Sequence, residues 1–160
     1  MAAAVDALHE QDLDLTRVLG LGHSAGGHLA TWAASRGRFP RWSTQVDLTG
    51  VVSQAGVLDL SAAFEENLGD GAVVGLLGHR PGPEDSRLDP IQQTPLDIPV
   101  HCIHATGDTT VPLSQSRSYV TAARAAGATA GLTEVAGEHL VLIDPGSVPW
   151  QQTLAILDGL

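Results

Sequence analysis

Short continuous apolar runs alternate along the chain with longer stretches in which apolar residues return every third or fourth position. The two rhythms predict strands and helices in turn. Runs at 17–22, 48–54, 100–105 and 131–135 are too short for helices and rich in Val, Leu and Ile, as buried strands are. Helical spacing covers 2–10, 25–35, Leu60 to Asn67, Ser114 to Ala126, where Gly127 ends an Ala-rich run, and Trp150 to Leu157. Between the second and third strands, 69–99 is rich in Gly, Pro and Asp, with Ala72 to Leu77 a short helix inside it. That segment is read as an irregular cap or long connection. Alternation of strand and helix predicts an α/β protein with a parallel, doubly wound sheet and right-handed connections. Neither an internal repeat nor a low-complexity tract interrupts it, so 1–160 is read as one domain.

Composition narrows the partners. The chain is 43% hydrophobic, ordinary for a globular domain with a real core. Its 18 acidic residues face eight arginines and no lysine, a formal charge of −10. That balance disfavours nucleic acid and anionic lipid, and no segment is long and apolar enough to span a bilayer. Met1 to Asp6 lacks the basic and apolar regions of a secretory leader, so a cytoplasmic location is expected. Cys102 is the only cysteine, which excludes an internal disulfide.

Chemistry concentrates at Gly22-His23-Ser24-Ala25-Gly26, where one serine lies between two glycines at the junction of a predicted strand and helix. That is the pattern of a nucleophile elbow. Such a turn strains the serine backbone and exposes its Oγ, and Gly22 and Gly26 are read as the positions where side chains would collide. The Ala25 N–H, at a helix N-terminus, is aimed where an oxyanion would form. A serine hydroxyl needs a base within reach and a carboxylate to fix the base's tautomer. In an open parallel sheet these groups gather in loops that follow strands. Asp108 follows the strand ending at Ala105, and His139 follows the strand ending near Val135, in the chain order Ser, Asp, His.

Other acids and histidines fit less well. Asp89 and Asp97 precede a strand rather than follow one, and Asp59 reads as a helix cap. His101 and His104, three apart on a strand, face opposite sides, and His23 and His28, five apart across a turn, lack the four-residue spacing of helical ligands. No metal site and no cofactor are expected. His23, beside the nucleophile, is a candidate substrate contact, and Trp32, Trp42 and Trp150 are read as packing residues. Gly20-Leu21-Gly22 to Gly26 loosely imitates a dinucleotide fingerprint, but its spacing is one residue too long and the next strand carries no acid at its carboxyl end.

Gly22 to Ala30, Gly107-Asp108 through Val111-Pro112, and Glu138-His139 together resemble the α/β-hydrolase fold, in its esterase and lipase group that includes kynurenine-formamidase-like enzymes. The resemblance implies Ser24 as nucleophile, His139 as general base and then acid, and Asp108 as the residue that orients His139. It implies a serine hydrolase acting on a small-molecule carboxylic ester or amide through an acyl-enzyme. It covers most of the chain but only the C-terminal part of the fold. The earlier strands, and the His-Gly-Gly loop that supplies a second oxyanion donor, have no counterpart. An N-terminally truncated domain is therefore expected, with an exposed sheet edge that favours pairing with a second copy. The alternative is a non-catalytic fragment or half-domain that needs a missing part or partner chain.

Overall fold

The computed structural model describes residues 1–42 and 44–160. Four strands, β1 (Leu19–His23), β2 (Gly50–Gln54), β3 (Val100–Ala105) and β4 (Ala130–Val135), pair in parallel and in sequential order. The pairings His23 with Gln54, Gln54 with Ile103, and Ala105 with Val135 bring the carboxyl ends of all four strands to one edge.

Side chains alternate across the sheet with a period of two. Val51, Val100 and Cys102 point to the face covered by α2 (Ala25–Ser35) and α5 (Ser114–Ala125), against Ala30, Ala33, Tyr119, Val120 and Ala123. Val52, Ile103, Ala105 and Val135 point to the other face, where Leu142 and the C-terminal helix meet them. Helices on both faces of a parallel sheet are the expected α/β arrangement. Among the described residues, no helix is long and apolar enough to cross a membrane.

Several boundaries differ from expectation for local reasons. The first helix is α-helical over Ala2–Asp6 (α1), and its remainder, Ala7–Glu10, tightens into a 3-10 turn. β1 begins at Leu19 because the Val18 N–H bonds the Thr49 hydroxyl instead of a strand carbonyl. The predicted patch from Leu60 to Asn67 is helical over Leu60–Glu65 (α3), capped by the Asp59 carboxylate on the Ala62 N–H, as its sequence position implies. The segment 69–99 is more regular than predicted, with a helix at Ala72–Leu77 (α4) and 3-10 turns at Pro83–Leu88 and Pro90–Gln93. The last helix, α6, starts at Val148, since the Ser147 hydroxyl accepts from the Trp150 N–H and Pro149 fits a first turn.

A buried ion pair ties α1 to the rest. Arg36, 1% exposed, donates to Asp6, Ala33 O and Val46 O, while Asp6 also accepts from the Gln45 and Val46 N–H groups. Asp6→Ala would strand the guanidinium charge in the core. A loss of about 3–5 kcal/mol is expected for breaking such a pair, read as a lower urea midpoint with unchanged slope.

Candidate active site

β1 runs directly into α2 through Ser24, whose backbone is held at φ 57°, ψ −122°. A non-glycine residue there is strained by roughly 1–3 kcal/mol, and its partners explain why it stays. The Ser24 N–H bonds Gln54 O at 2.8 Å, and the Ser24 carbonyl accepts from the Gly27 N–H at 2.9 Å, so sheet and helix clamp the turn from both sides. A Cβ on Gly22 would lie 2.0 Å from Gly26 O. Gly26 itself faces open space, which corrects the expectation that a side chain would collide there. The second crowded position is Gly27, where a Cβ would come within 2.7 Å of Gly56 Cα and Ser53 Oγ, because the helix packs against β2 at that point.

α2 starts at Ala25, so the Ala25 N–H has no acceptor within the helix. It stands at the positive end of the helix dipole, next to the half-buried Ser24.

After β3, the Asp108 side chain is fully enclosed. Its Oδ1 accepts from the Thr110 and Val111 N–H groups at 2.8 and 2.9 Å, and its Oδ2 accepts from His139 Nδ1 at 2.6 Å. Burial pushes the Asp108 carboxyl up, yet the hydrogen bonds from His139, Val111 and Thr110 outweigh it and hold the group below the usual carboxylate range. His104 Nε2, 3.4 Å from Asp108 Oδ2, donates to Val111 O, and its Nδ1 faces Ser116 Oγ at 2.8 Å, which buttresses the acid loop from behind.

β4 delivers His139 through Gly137, whose φ of 123° favours glycine. The Gly107 N–H donates to Gly137 O at 2.9 Å and so stitches the acid loop to the histidine loop. His139 opens a 3-10 turn, His139–Ile143, that the sequence pattern did not reveal, because Leu142 is buried while Leu140 and Ile143 are exposed. With Nδ1 donating to Asp108, His139 Nε2 is left as a lone pair. Among the described residues, neither that nitrogen nor Ser24 Oγ has a hydrogen-bond partner.

His23 bridges the two halves. Its Nε2 donates to His139 O at 3.0 Å, and the two rings stand 4.3 Å apart between centroids. Thus Ser24, Asp108 and His139 gather at one edge of the sheet, with Ala25 and His23 beside them. The contact between His23 and His139 was not legible in the sequence, since the two lie 116 positions apart.

An apolar cavity of about 160 Å³ opens beside Ala25, walled by Val57, Leu60, Leu68, Val73 and Leu76. α4, within the 69–99 segment, supplies Ala72, Val73 and Leu76 to that wall, and α3 supplies Leu60. The other acids stand elsewhere. Asp89 is buried and accepts from the Leu60 N–H, with its carboxyl pushed up to about 6 by burial, and Asp97 is exposed ahead of β3. His101 meets Thr133 and His104 meets Ser116, on opposite faces of the sheet. Among the described residues, His79, Glu84 and Asp85 are the one group close enough to share a metal ion, and there His79 already bonds the Asp85 carboxylate.

The chain matches the model of the prolyl oligopeptidase family over residues 1–141. It belongs to that family. Solved structures similar to it include an esterase from Thermogutta terrifontis, at 22% identity and TM-score 0.74 over 99% of this chain and 61% of that one. A truncated carbohydrate esterase from gut microbiota matches at 21% identity and TM-score 0.76, over 99% of this chain and 66% of that one. Pyrococcus horikoshii acylaminoacyl peptidase matches at 18% identity and TM-score 0.75, over 96% of this chain and 25% of that one. These likenesses show the fold, a parallel sheet of the α/β-hydrolase type. The chain spans about three fifths of the Thermogutta esterase. None of the curated proteins compared with it matches.

Proposed function

We propose that this prolyl oligopeptidase family member is a serine hydrolase that cleaves a carboxylic ester or amide through an acyl-enzyme. The 2.6 Å bond from His139 Nδ1 to Asp108 carries the reading, because it fixes the tautomer that leaves Nε2 able to take a proton from Ser24. Ser24 Oγ attacks the carbonyl carbon as its proton passes to His139 Nε2. The Ala25 N–H binds the developing oxyanion, and Asp108 stabilises the imidazolium without itself being protonated. Imidazolium then protonates the leaving alcohol or amine. Water, activated by the same nitrogen, releases the acid and restores Ser24.

The cavity beside Ala25 favours a short apolar acyl group. Its volume of about 160 Å³ equals roughly five water-sized groups of ~30 Å³ each, and its walls offer little to a charged chain. The Thermogutta terrifontis esterase of similar fold is described with propionate or butyrate bound, groups of that size. Hydrolysis of p-nitrophenyl esters from acetate to dodecanoate tests both parts, with a burst of nitrophenol expected and rates highest for short chains. Ala72→Phe would fill the cavity from α4, so the butyrate-to-acetate ratio of kcat/KM should fall roughly tenfold. A ratio that does not move would place the acyl chain elsewhere.

A second reading has its own support. β1 lies at the edge of the four-stranded sheet with Leu21 40% exposed, and the chain spans 61% of the esterase it resembles. On that reading, 1–160 is a half-domain that acts only with further polypeptide or a second copy along β1. Specific activity that rises with concentration, together with a dimer in light scattering, would favour it over a self-sufficient domain.

A further inference from the structure

We infer that His23 is a positioning residue for the general base, holding His139 through its backbone and its ring, in place of the substrate contact that its sequence position suggests. The inference rests on the reading of His139 as that base.

A carbonyl oxygen can only accept, so His23 Nε2, 3.0 Å from His139 O, must carry the proton. The bond grips the main chain of the very residue whose side chain is to move protons. The imidazoles meet at 4.3 Å with their planes inclined by 50°, so the His23 ring also blocks rotation of His139 on one side. Asp108 restrains the ring from a second side through Nδ1. His139 is thereby held at three points, its carbonyl, one ring face and one ring nitrogen. The restraint begins in the residue that precedes the nucleophile, so strand β1 sets the position of Ser24 and His139 together.

The charged and titratable groups that face His23 are His139 and Asp108. Burial, with the neighbouring His139, favours neutral His23, against the hydrogen bond to His139 O and the attraction of Asp108. A neutral neighbour matters, because a second imidazolium here would oppose the charge that His139 gains during attack.

Two variants separate the contributions. His23→Phe keeps a ring but removes the donor, and His23→Gln keeps a donor without the ring. With p-nitrophenyl butyrate, His23→Phe should lower kcat on the order of 10²-fold, the usual effect of a misplacement near 1 Å, while KM barely moves. His23→Gln should recover much of that loss. Proton NMR gives a readout free of turnover, the deshielded His139 Nδ1 proton shared with Asp108, which should be sharp in the wild type and His23→Gln and broadened in His23→Phe. A KM increase at constant kcat would make His23 a substrate contact and overturn the inference, as would an unchanged resonance in His23→Phe. If the wild-type chain turns over no ester, the functional reading fails on its own, and the resonance still decides whether His23 positions His139.

Discussion

Ser24→Ala should abolish ester turnover while leaving the fold intact. Losses on the order of 10⁶ in kcat accompany removal of such a nucleophile elsewhere. On the proposed mechanism the physical reason is that Ser24 supplies the attacking oxygen, from the turn where the Ala25 N–H opens helix α2. Ser24→Gly should be equally inactive yet more stable. The backbone at φ 57° is strained for serine and for alanine alike, whereas glycine adopts it freely. A gain of about 1 kcal/mol in urea unfolding is expected for the glycine variant over the alanine one. Equal stabilities would mean that the elbow stores no strain. Residual turnover in Ser24→Ala close to wild type would remove the serine from the mechanism.

Asp108→Asn carries the second largest expected effect. The amide oxygen can still accept from the Thr110 and Val111 N–H groups, so the loop should keep its shape. The amide nitrogen then faces His139 Nδ1 as a donor, which forces the proton onto Nε2 and disables the base. A drop of about 10⁴ in kcat is expected from a wrong tautomer. The same substitution should alter acid stability. Folding lowers the Asp108 pKa, so its stabilising contribution is complete above the unfolded value of about 4 and is lost as pH falls through the folded value. Wild type should therefore lose stability over that acid window more steeply than Asp108→Asn. Parallel curves would contradict the hydrogen-bonded carboxylate described here.

Much of this architecture is written locally. Helix α2 begins and ends where its elbow and its apolar spacing say it should, and β3 and α4 have their predicted limits, because Pro99, Gly71 and Gly78 punctuate the chain beside them. The meeting of Asp108 and His139 is legible because a parallel sheet brings loops after strands to one edge. What was hidden depends on distant partners. The turns within 69–99 are short, and the Asp85 carboxylate that accepts from the Gly82 N–H at the start of one of them follows no apolar period. Gly27 and not Gly26 is the crowded glycine, since that depends on how closely α2 approaches Gly56. His23 bonds a carbonyl 116 residues away, a contact no spacing rule reveals.

The most direct test of the account is covalent labelling of the folded chain with a fluorophosphonate, followed by mass spectrometry of its peptides. Ser24 should displace fluoride and carry one phosphonyl group per chain, slowly in Asp108→Asn and never in Ser24→Ala. A chain that unfolds cooperatively in urea yet takes up no label, or labels equally well without Ser24, would contradict the proposed chemistry.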